Sequence, residues 1–220
     1  MGVVLVHGAW HGSWCWDGVV AALDRRGILS TAVELPFTGF DDDVEAVRQG
    51  VLAMGPDAVV VAHSYSGFVV SNAARGRSDV RRLVYVASFM TDEDEDAPTI
   101  MTNYNSQLPD AVAIEGDQQV AIDPARAREL FYGDLDEASA ALLTARLRPI
   151  SFASALGRQG PPAWKSIPST YVICTNDSAI PVAAQRWMAQ RANVVHELPT
   201  DHSPFNTRPE DLADIISQAG

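Results

Sequence analysis

Val59-Val60-Val61-Ala62-His63-Ser64-Tyr65-Ser66-Gly67-Phe68-Val69-Val70 is the stretch on which the fold turns. It opens on β-branched residues, as a strand buried on both faces of a parallel sheet does. It closes on small and apolar residues that suit a helix. Between them a serine sits in a turn of small residues, with Ala62 two positions before it, Ser66 two positions after it and Gly67 next. A strand that turns this sharply into a helix tolerates only small side chains at those positions, and it lifts the central side chain above the sheet edge. The amides that follow open a helix, whose N-terminus stabilises negative charge. The pattern predicts a nucleophilic serine, Ser64, at the end of a parallel strand.

The chain has 220 residues, the size of one domain with room for an insertion, and 47% of them are apolar, enough for a sizeable core. A net charge of -12 repels the phosphates of nucleic acids and anionic membrane surfaces, so neither is expected as a partner. No apolar run reaches the length of a membrane span. Met1-Gly2 leads straight into Val3-Val4-Leu5-Val6 with no basic segment or cleavage site, which predicts a strand and a cytoplasmic protein rather than a signal peptide. Cys15 and Cys174 show no motif spacing and are expected as buried free thiols. Oligomeric state stays open, a homodimer included.

Apolar strands are expected at Val3–Val6, Ser30–Leu35, Asp57–Ala62, Arg81–Ala87, Ser169–Thr175 and Val194–Leu198. Helical segments lie between them: Trp16–Arg26 with Gly27 as its stop, Asp41–Met54 ended by Gly55-Pro56, the segment after Ser64, and one opened by Pro181. A last helix runs from Pro209 to Ser217. Asp41-Asp42-Asp43 suits a helix N-terminus better than a metal site. The alternation implies an α/β fold with a parallel sheet and right-handed crossovers, whose ligands bind beyond the carboxyl ends of the strands. The pattern breaks between the fourth and fifth strands. A single domain over 1–220 is expected, with its core in 1–87 and 167–220 and a helical cap inserted at about 88–166. That cap shows no clear buried strand. It holds an acidic run, Asp92 to Asp96, expected to be solvated, and helices at Pro124–Tyr132, with Asp123 as cap, and Asp136–Leu147. A cap of this kind excludes water and shapes a pocket. Trp10, Phe89, Tyr104, Phe131, Phe152 and Trp164 are the apolar candidates for contact with a substrate.

A serine is a poor nucleophile near neutral pH unless a histidine takes its proton and a carboxylate fixes the tautomer of that histidine. Ser64, Asp177 and His202 each follow a predicted parallel strand, so all three should lie along one edge of the sheet. Asp92 is a second candidate acid, because it also follows a strand end; Asp201 adjoins His202 and is poorly placed to reach back to its ring. His63 should point away from the nucleophile, and His196 lies within a strand. The loop His7-Gly8-Ala9-Trp10-His11-Gly12 follows the first strand. Its Ala9 amide, with that of Tyr65, would form an oxyanion hole, and Trp14 and Trp16 would anchor the loop. His7 and His11 read as structural, fixing the loop through backbone bonds. No metal-ligand spacing and no phosphate-binding glycine loop is seen, and no cofactor is expected.

His7 to Trp16, His63-Ser64-Tyr65-Ser66-Gly67, Val172 to Pro181 with Gln185-Arg186-Trp187, and Asp201-His202-Ser203 resemble the plant methylesterase and hydroxynitrile lyase branch of the α/β-hydrolases. The resemblance runs through nearly the whole chain and is weakest from Thr91 to Gln119. It implies an α/β-hydrolase fold with a six-stranded sheet and helical cap, the set Ser64, Asp177 and His202, and the oxyanion hole at Ala9 and Tyr65. Lyases of that branch carry a lysine after the catalytic histidine and a threonine in the oxyanion loop. Ser203 and Ala9 stand at those positions, which points to an esterase. The expected function is a serine hydrolase of a small, fairly apolar carboxylic ester, methyl ester or lactone. The alternatives are a thioesterase, a cofactor-free lyase or dioxygenase using the His–Asp pair as base, and a small-molecule binding protein with a vestigial triad.

Overall fold

The computed structural model describes residues 2–116, 118–155 and 160–220. The chain runs β1 (Gly2–Val6), α1 (Asp17–Arg25), β2 (Leu29–Val33), α2 (Phe40–Met54), β3 (Ala58–His63), α3 (Ser66–Ala74) and β4 (Val80–Val86). An inserted segment then carries α4 (Ala97–Asn103), β5 (Val112–Glu115), β6 (Gln119–Ile122), α5 (Pro124–Phe131), α6 (Glu137–Thr144), β7 (Ile150–Ser151) and α7 (Phe152–Ala155). The chain returns through β8 (Ser169–Cys174), α8 (Val182–Ala189), β9 (Val194–Leu198), α9 (Pro204–Thr207) and α10 (Pro209–Gln218).

Six strands form one sheet in the order β2-β1-β3-β4-β8-β9, and every neighbouring pair is parallel. The apolar runs are continuous because both faces of the sheet are covered. Val4, Val6, Val60, Ala62, Leu83, Tyr85, Tyr171 and Ile173 face one core, filled by Val44, Val47 and Val51 of α2, Val69 and Val70 of α3 and Met188 of α8. The alternate residues Val3, Leu5, Val59, Val61, Val84, Val86 and Val172 face the other, closed by Val19 and Leu23 of α1 and Leu212 and Ile216 of α10. The left-handed backbone of Gly27 and Gly55, at φ 68° and 87°, ends α1 and α2.

The turn between β3 and α3 is built around a strained residue. Ser64 has φ 54°, a left-handed conformation that costs a side-chain-bearing residue about 1–3 kcal/mol. Its carbonyl oxygen accepts from Gly67 N at 3.1 Å, Phe89 N at 3.2 Å and Ser88 Oγ at 2.8 Å. A side chain at Gly67 would collide with the Phe89 carbonyl and come within 2.6 Å of Ser88 Oγ. Ser66 accepts from His63 N at 2.9 Å and lies 2.9 Å from the carbonyl oxygens of both Val6 and His63. Its hydroxyl thus ties the ends of β1 and β3 together. Gly8 is needed for close approach, since a Cβ there would sit 2.9 Å from that of Ser64.

Histidines hold the loop after β1. His7 Nε2 accepts from Leu35 N at 3.0 Å and its Nδ1 donates to Gly8 O at 2.9 Å. His11 Nδ1 donates to Ala9 O at 2.9 Å, and Nε2 accepts from the Tyr132 hydroxyl at 3.0 Å. Trp16 is fully buried against Phe205, with ring centroids 5.1 Å apart. Burial lowers His7 to about 4 and His11 to about 3, and it holds His63 well below the ordinary imidazole value.

The inserted segment departs from the expected purely helical cap. A small antiparallel sheet, β5-β6-β7, joins its helices. Its strands are short: Val112-Ala113-Ile114 and Val120-Ala121-Ile122 are apolar runs below the usual length of a sheet strand, and Ala113, Ile114 and Glu115 are exposed. Helix α6 closes at Thr144, ahead of the expected Leu147. The acidic run is also more engaged than expected. Asp92 pairs with Lys165 at 2.5 Å, Glu95 with Arg191 at 2.5 Å, and Asp96 caps α4 by accepting from Thr99 N at 2.7 Å. The two cations stand far along the chain, out of reach of local pattern. Asp123 does cap α5, accepting from Ala125 N at 2.9 Å, with Pro124 in its first turn. Among the described residues no helix is long and apolar enough to cross a membrane.

Gly67→Ala is expected to cost about 3 kcal/mol through overpacking, read as a lowered urea midpoint at unchanged slope. Stability should also fall on mild acidification. The unfolded chain binds protons at its histidines near pH 6.5, whereas folded His7 and His11 bind them only near 4 and 3. Their contribution is complete above pH 6.5 and is lost as pH drops toward 4, at about 1 kcal/mol per pH unit per imidazole. Asp43 and Asp201, raised by burial, act in the opposite sense just above the ordinary aspartate range. Urea unfolding between pH 7 and 5 should show a slope that His11→Asn reduces by one proton.

Candidate active site

Three strand ends supply the candidate groups. Ser64 follows β3, Asp177 follows β8 and His202 follows β9, so parallel pairing brings all three to the carboxyl edge of the sheet. His202 Nδ1 lies 2.6 Å from Asp177 Oδ2, and both side chains are buried. An imidazole that donates from Nδ1 to a carboxylate keeps its lone pair on Nε2, where it can take a proton.

Asp177 is held by donors on every side. Its Oδ1 accepts from Ala179 N at 2.7 Å and Ile180 N at 2.9 Å, and its Oδ2 also accepts from Gln185 Nε2 at 2.8 Å. These bonds replace the water that a buried carboxylate loses. Gln185, fully buried on α8, accepts from Cys174 N at 3.0 Å and donates to Ile180 O at 2.9 Å. Sequence reading placed Gln185 on a helix without assigning it a role. Two signals marked it: its place in the Gln185-Arg186-Trp187 stretch that carries the family resemblance, and an uncharged polar residue on the face that also carries Met188 and Ala189.

Two loops fix the His202 backbone. His63 Nε2 donates to His202 O at 2.8 Å, and the two rings lie 4.6 Å apart. His63 precedes Ser64, so this bond ties the serine turn directly to the histidine loop. Asp201 Oδ1 accepts from Ser203 N at 2.8 Å and Oδ2 from Asp134 N at 3.0 Å, while Asp201 N donates to Asp134 Oδ2 at 2.8 Å. That reciprocal pair joins the histidine loop to the end of α5. Asp92, the second candidate acid, is engaged with Lys165 instead. His196 lies within β9.

Ala9 and Tyr65 border the same turn, and both are buried. Among the described residues, neither of their amides donates to a turn, loop or cap acceptor. Phe131 reaches the histidine, with ring centroids 5.7 Å apart, and Trp10 stacks on Phe131 at 5.9 Å. Trp10 is anchored by donation from Nε1 to Val120 O at 3.0 Å. The other aromatic candidates make different contacts. Phe89 stacks on Phe68 at 4.9 Å, Tyr104 tilts onto Trp187 at 6.0 Å, and Trp164 donates to Thr91 O at 2.9 Å. Phe152 opens α7 and is half-buried. Tyr65 carries a contact that sequence reading missed: its hydroxyl donates to the buried Asp43 carboxylate at 2.8 Å. Asp43 lies 22 residues earlier, and nothing in a helix-opening acidic triplet singles it out.

A family model described as the alpha/beta hydrolase family matches residues 3–215. An alpha/beta hydrolase of Aspergillus novofumigatus is 27% identical over 241 residues, covering 99% of this chain and 95% of that protein. Methylesterase 1 of Arabidopsis thaliana is 26% identical over 247 residues, covering 97% and 93%. Among solved structures, polyneuridine aldehyde esterase superposes with a TM-score of 0.85 at 21% identity, over 99% of this chain and 98% of that one. A pyrethroid hydrolase from Sphingobium faniae gives 0.82 at 24% identity, over 99% and 96%. At these identities the solved structures speak to the fold alone. A match running through both halves of the sheet and across the inserted segment settles the assignment: the chain belongs to the alpha/beta hydrolase family and has plant methylesterases among its relatives.

Proposed function

We propose that the protein is a serine hydrolase of small, fairly apolar carboxylic esters, methyl esters or lactones, acting through an acyl-enzyme. The observation that carries the reading is the buried 2.6 Å contact between His202 Nδ1 and Asp177, bonded through His63 to the turn that presents Ser64. In this reading Ser64 Oγ attacks the ester carbonyl while His202 Nε2 takes its proton. The oxyanion is held by the Ala9 and Tyr65 amides, backbone dipoles of the kind that stabilise developing charge. His202 then returns the proton to the departing alkoxide, which leaves as the alcohol. Water attacks the acyl group, His202 takes one of its protons, and the acid departs as Ser64 regains a hydrogen. Asp177 stabilises the imidazolium in both half-reactions.

The substrate class follows from what stands beside the histidine. Phe131 and Trp10 make an apolar wall there, which suits an uncharged acyl or alkyl group. A methylesterase among the relatives supports the methyl ester within that class. Each step uses only nucleophilic, acid–base and hydrogen-bonding groups of the chain. We place the protein in the cytoplasm, where buried free thiols such as Cys15 and Cys174 stay reduced.

The direct test is turnover of a short-chain p-nitrophenyl ester. Ser64→Ala should lose at least about a thousandfold in kcat, and surviving turnover would remove Ser64 as the nucleophile. Asp177→Asn should lose about ten-thousandfold in kcat with KM little changed, because the amide admits the wrong imidazole tautomer. A panel of methyl esters and lactones then sets the preference within the class.

A further inference from the structure

The peptide group between Ser64 and Tyr65 is gripped at its carbonyl end. Ser64 O accepts from Gly67 N, Phe89 N and Ser88 Oγ. The N–H of Tyr65 belongs to the same planar, trans group and points the opposite way. The remaining freedom of that plane lies at the Tyr65 Cα, and the Tyr65 side chain is itself tied down. Its hydroxyl donates to Asp43 Oδ2 at 2.8 Å, and its ring packs on Phe37 at 6.1 Å. Asp43 is fully buried, and its Oδ1 accepts from Phe37 N at 2.8 Å. Helix α7 of the inserted segment packs against α2, the helix that carries Asp43. Ser151 Oγ donates to Ser154 Oγ at 3.0 Å, and Ser151 N donates to Phe37 O at 3.1 Å. A phenol is a far weaker acid than a carboxyl, and burial raises it further, so Tyr65 is the donor in this bond.

We propose that Tyr65 and Asp43 form a positioning pair in which the Tyr65 hydroxyl, anchored on the Asp43 carboxylate, aims the Tyr65 amide at the oxyanion. The inference rests on the serine hydrolase reading above. Neither side chain touches a reacting atom; they act through the peptide plane. A buried carboxylate that accepts from a loop amide and a phenol has one low-energy arrangement, because each unmade bond leaves a desolvated group. Oxyanion donors act through their direction, so a small change in aim lowers the rate of the bond-making step without weakening capture of the ground state.

Inactivation by an alkyl fluorophosphonate tests this without knowledge of the natural substrate. Ser64 Oγ bonds to phosphorus, fluoride leaves, and His202 takes the hydroxyl proton. Tyr65→Phe keeps the ring against Phe37 and removes only the hydroxyl. Its maximal inactivation rate is expected to fall about tenfold, with the half-saturating concentration within about twofold. Asp43→Asn, which keeps an oxygen acceptor for the phenol but removes its charge, is expected to lose about threefold in the same parameter. Maximal rates unchanged in both variants, or a change confined to half-saturation, would overturn the proposal. Should Tyr65→Phe fail to fold, Asp43→Asn decides by the same criterion. A wild type that takes no label, or label that persists in Ser64→Ala, refutes the serine reading itself rather than the positioning pair.

Discussion

Ser64 holds a left-handed backbone that disfavours any residue with a side chain, and three donors to its carbonyl oxygen keep it there. Much of the surrounding structure follows from that strain. The turn leaves no room at Gly67, where a Cβ would strike the Phe89 carbonyl, or at Gly8, where it would press on Ser64 itself. Ser66 stands where this kind of turn usually carries a glycine. It fits because its hydroxyl takes up the backbone groups of Val6 and His63 that a glycine would leave to other partners. The strands on either side are apolar on both faces, so the turn sits on rigid ground.

Parallel pairing then does the work of assembly. β3 and β9 are separated in the sheet by β4 and β8, yet their ends are joined above it by the bond from His63 to the His202 carbonyl. Asp177, one strand nearer, meets the His202 ring from the other side. A buried carboxylate is tolerable only when its lost water is replaced. The amides of Ala179 and Ile180 and the side chain of Gln185 provide that replacement. The same bonds leave the carboxylate little freedom to turn away from the histidine.

The inserted segment meets the sheet edge through polar contacts as well as apolar ones. Asp134 and Asp201 exchange backbone and carboxylate bonds, and Tyr132 bonds His11. Both contacts land within two residues of a group in the proposed chemistry. Phe131, carried on the helix that ends beside Asp134, packs against the His202 ring from above.

The sequence by itself determined the sheet and the serine turn. Val59 to Val61, Val84 to Val86 and Val172-Ile173 are runs that only a doubly covered strand explains, and the small residues around Ser64 admit only a tight strand–helix turn. The positions of Asp177 and His202 after strand ends were legible for the same reason, because direction in a parallel sheet is inherited from chain order. Tertiary structure alone decided what depends on distant partners. Val112 to Ile114 and Val120 to Ile122 are apolar runs too short to declare a sheet until they pair as β5 and β6, and the acids from Asp92 to Asp96 look solvated until Lys165 and Arg191 come to them. Gln185 is one more polar helix residue until Asp177 is placed against it, and Asp43 is one of three helix-opening acids until Tyr65 reaches it. Local pattern records how a segment meets solvent and core. The partner of a buried polar group is fixed only when the whole chain has closed around it.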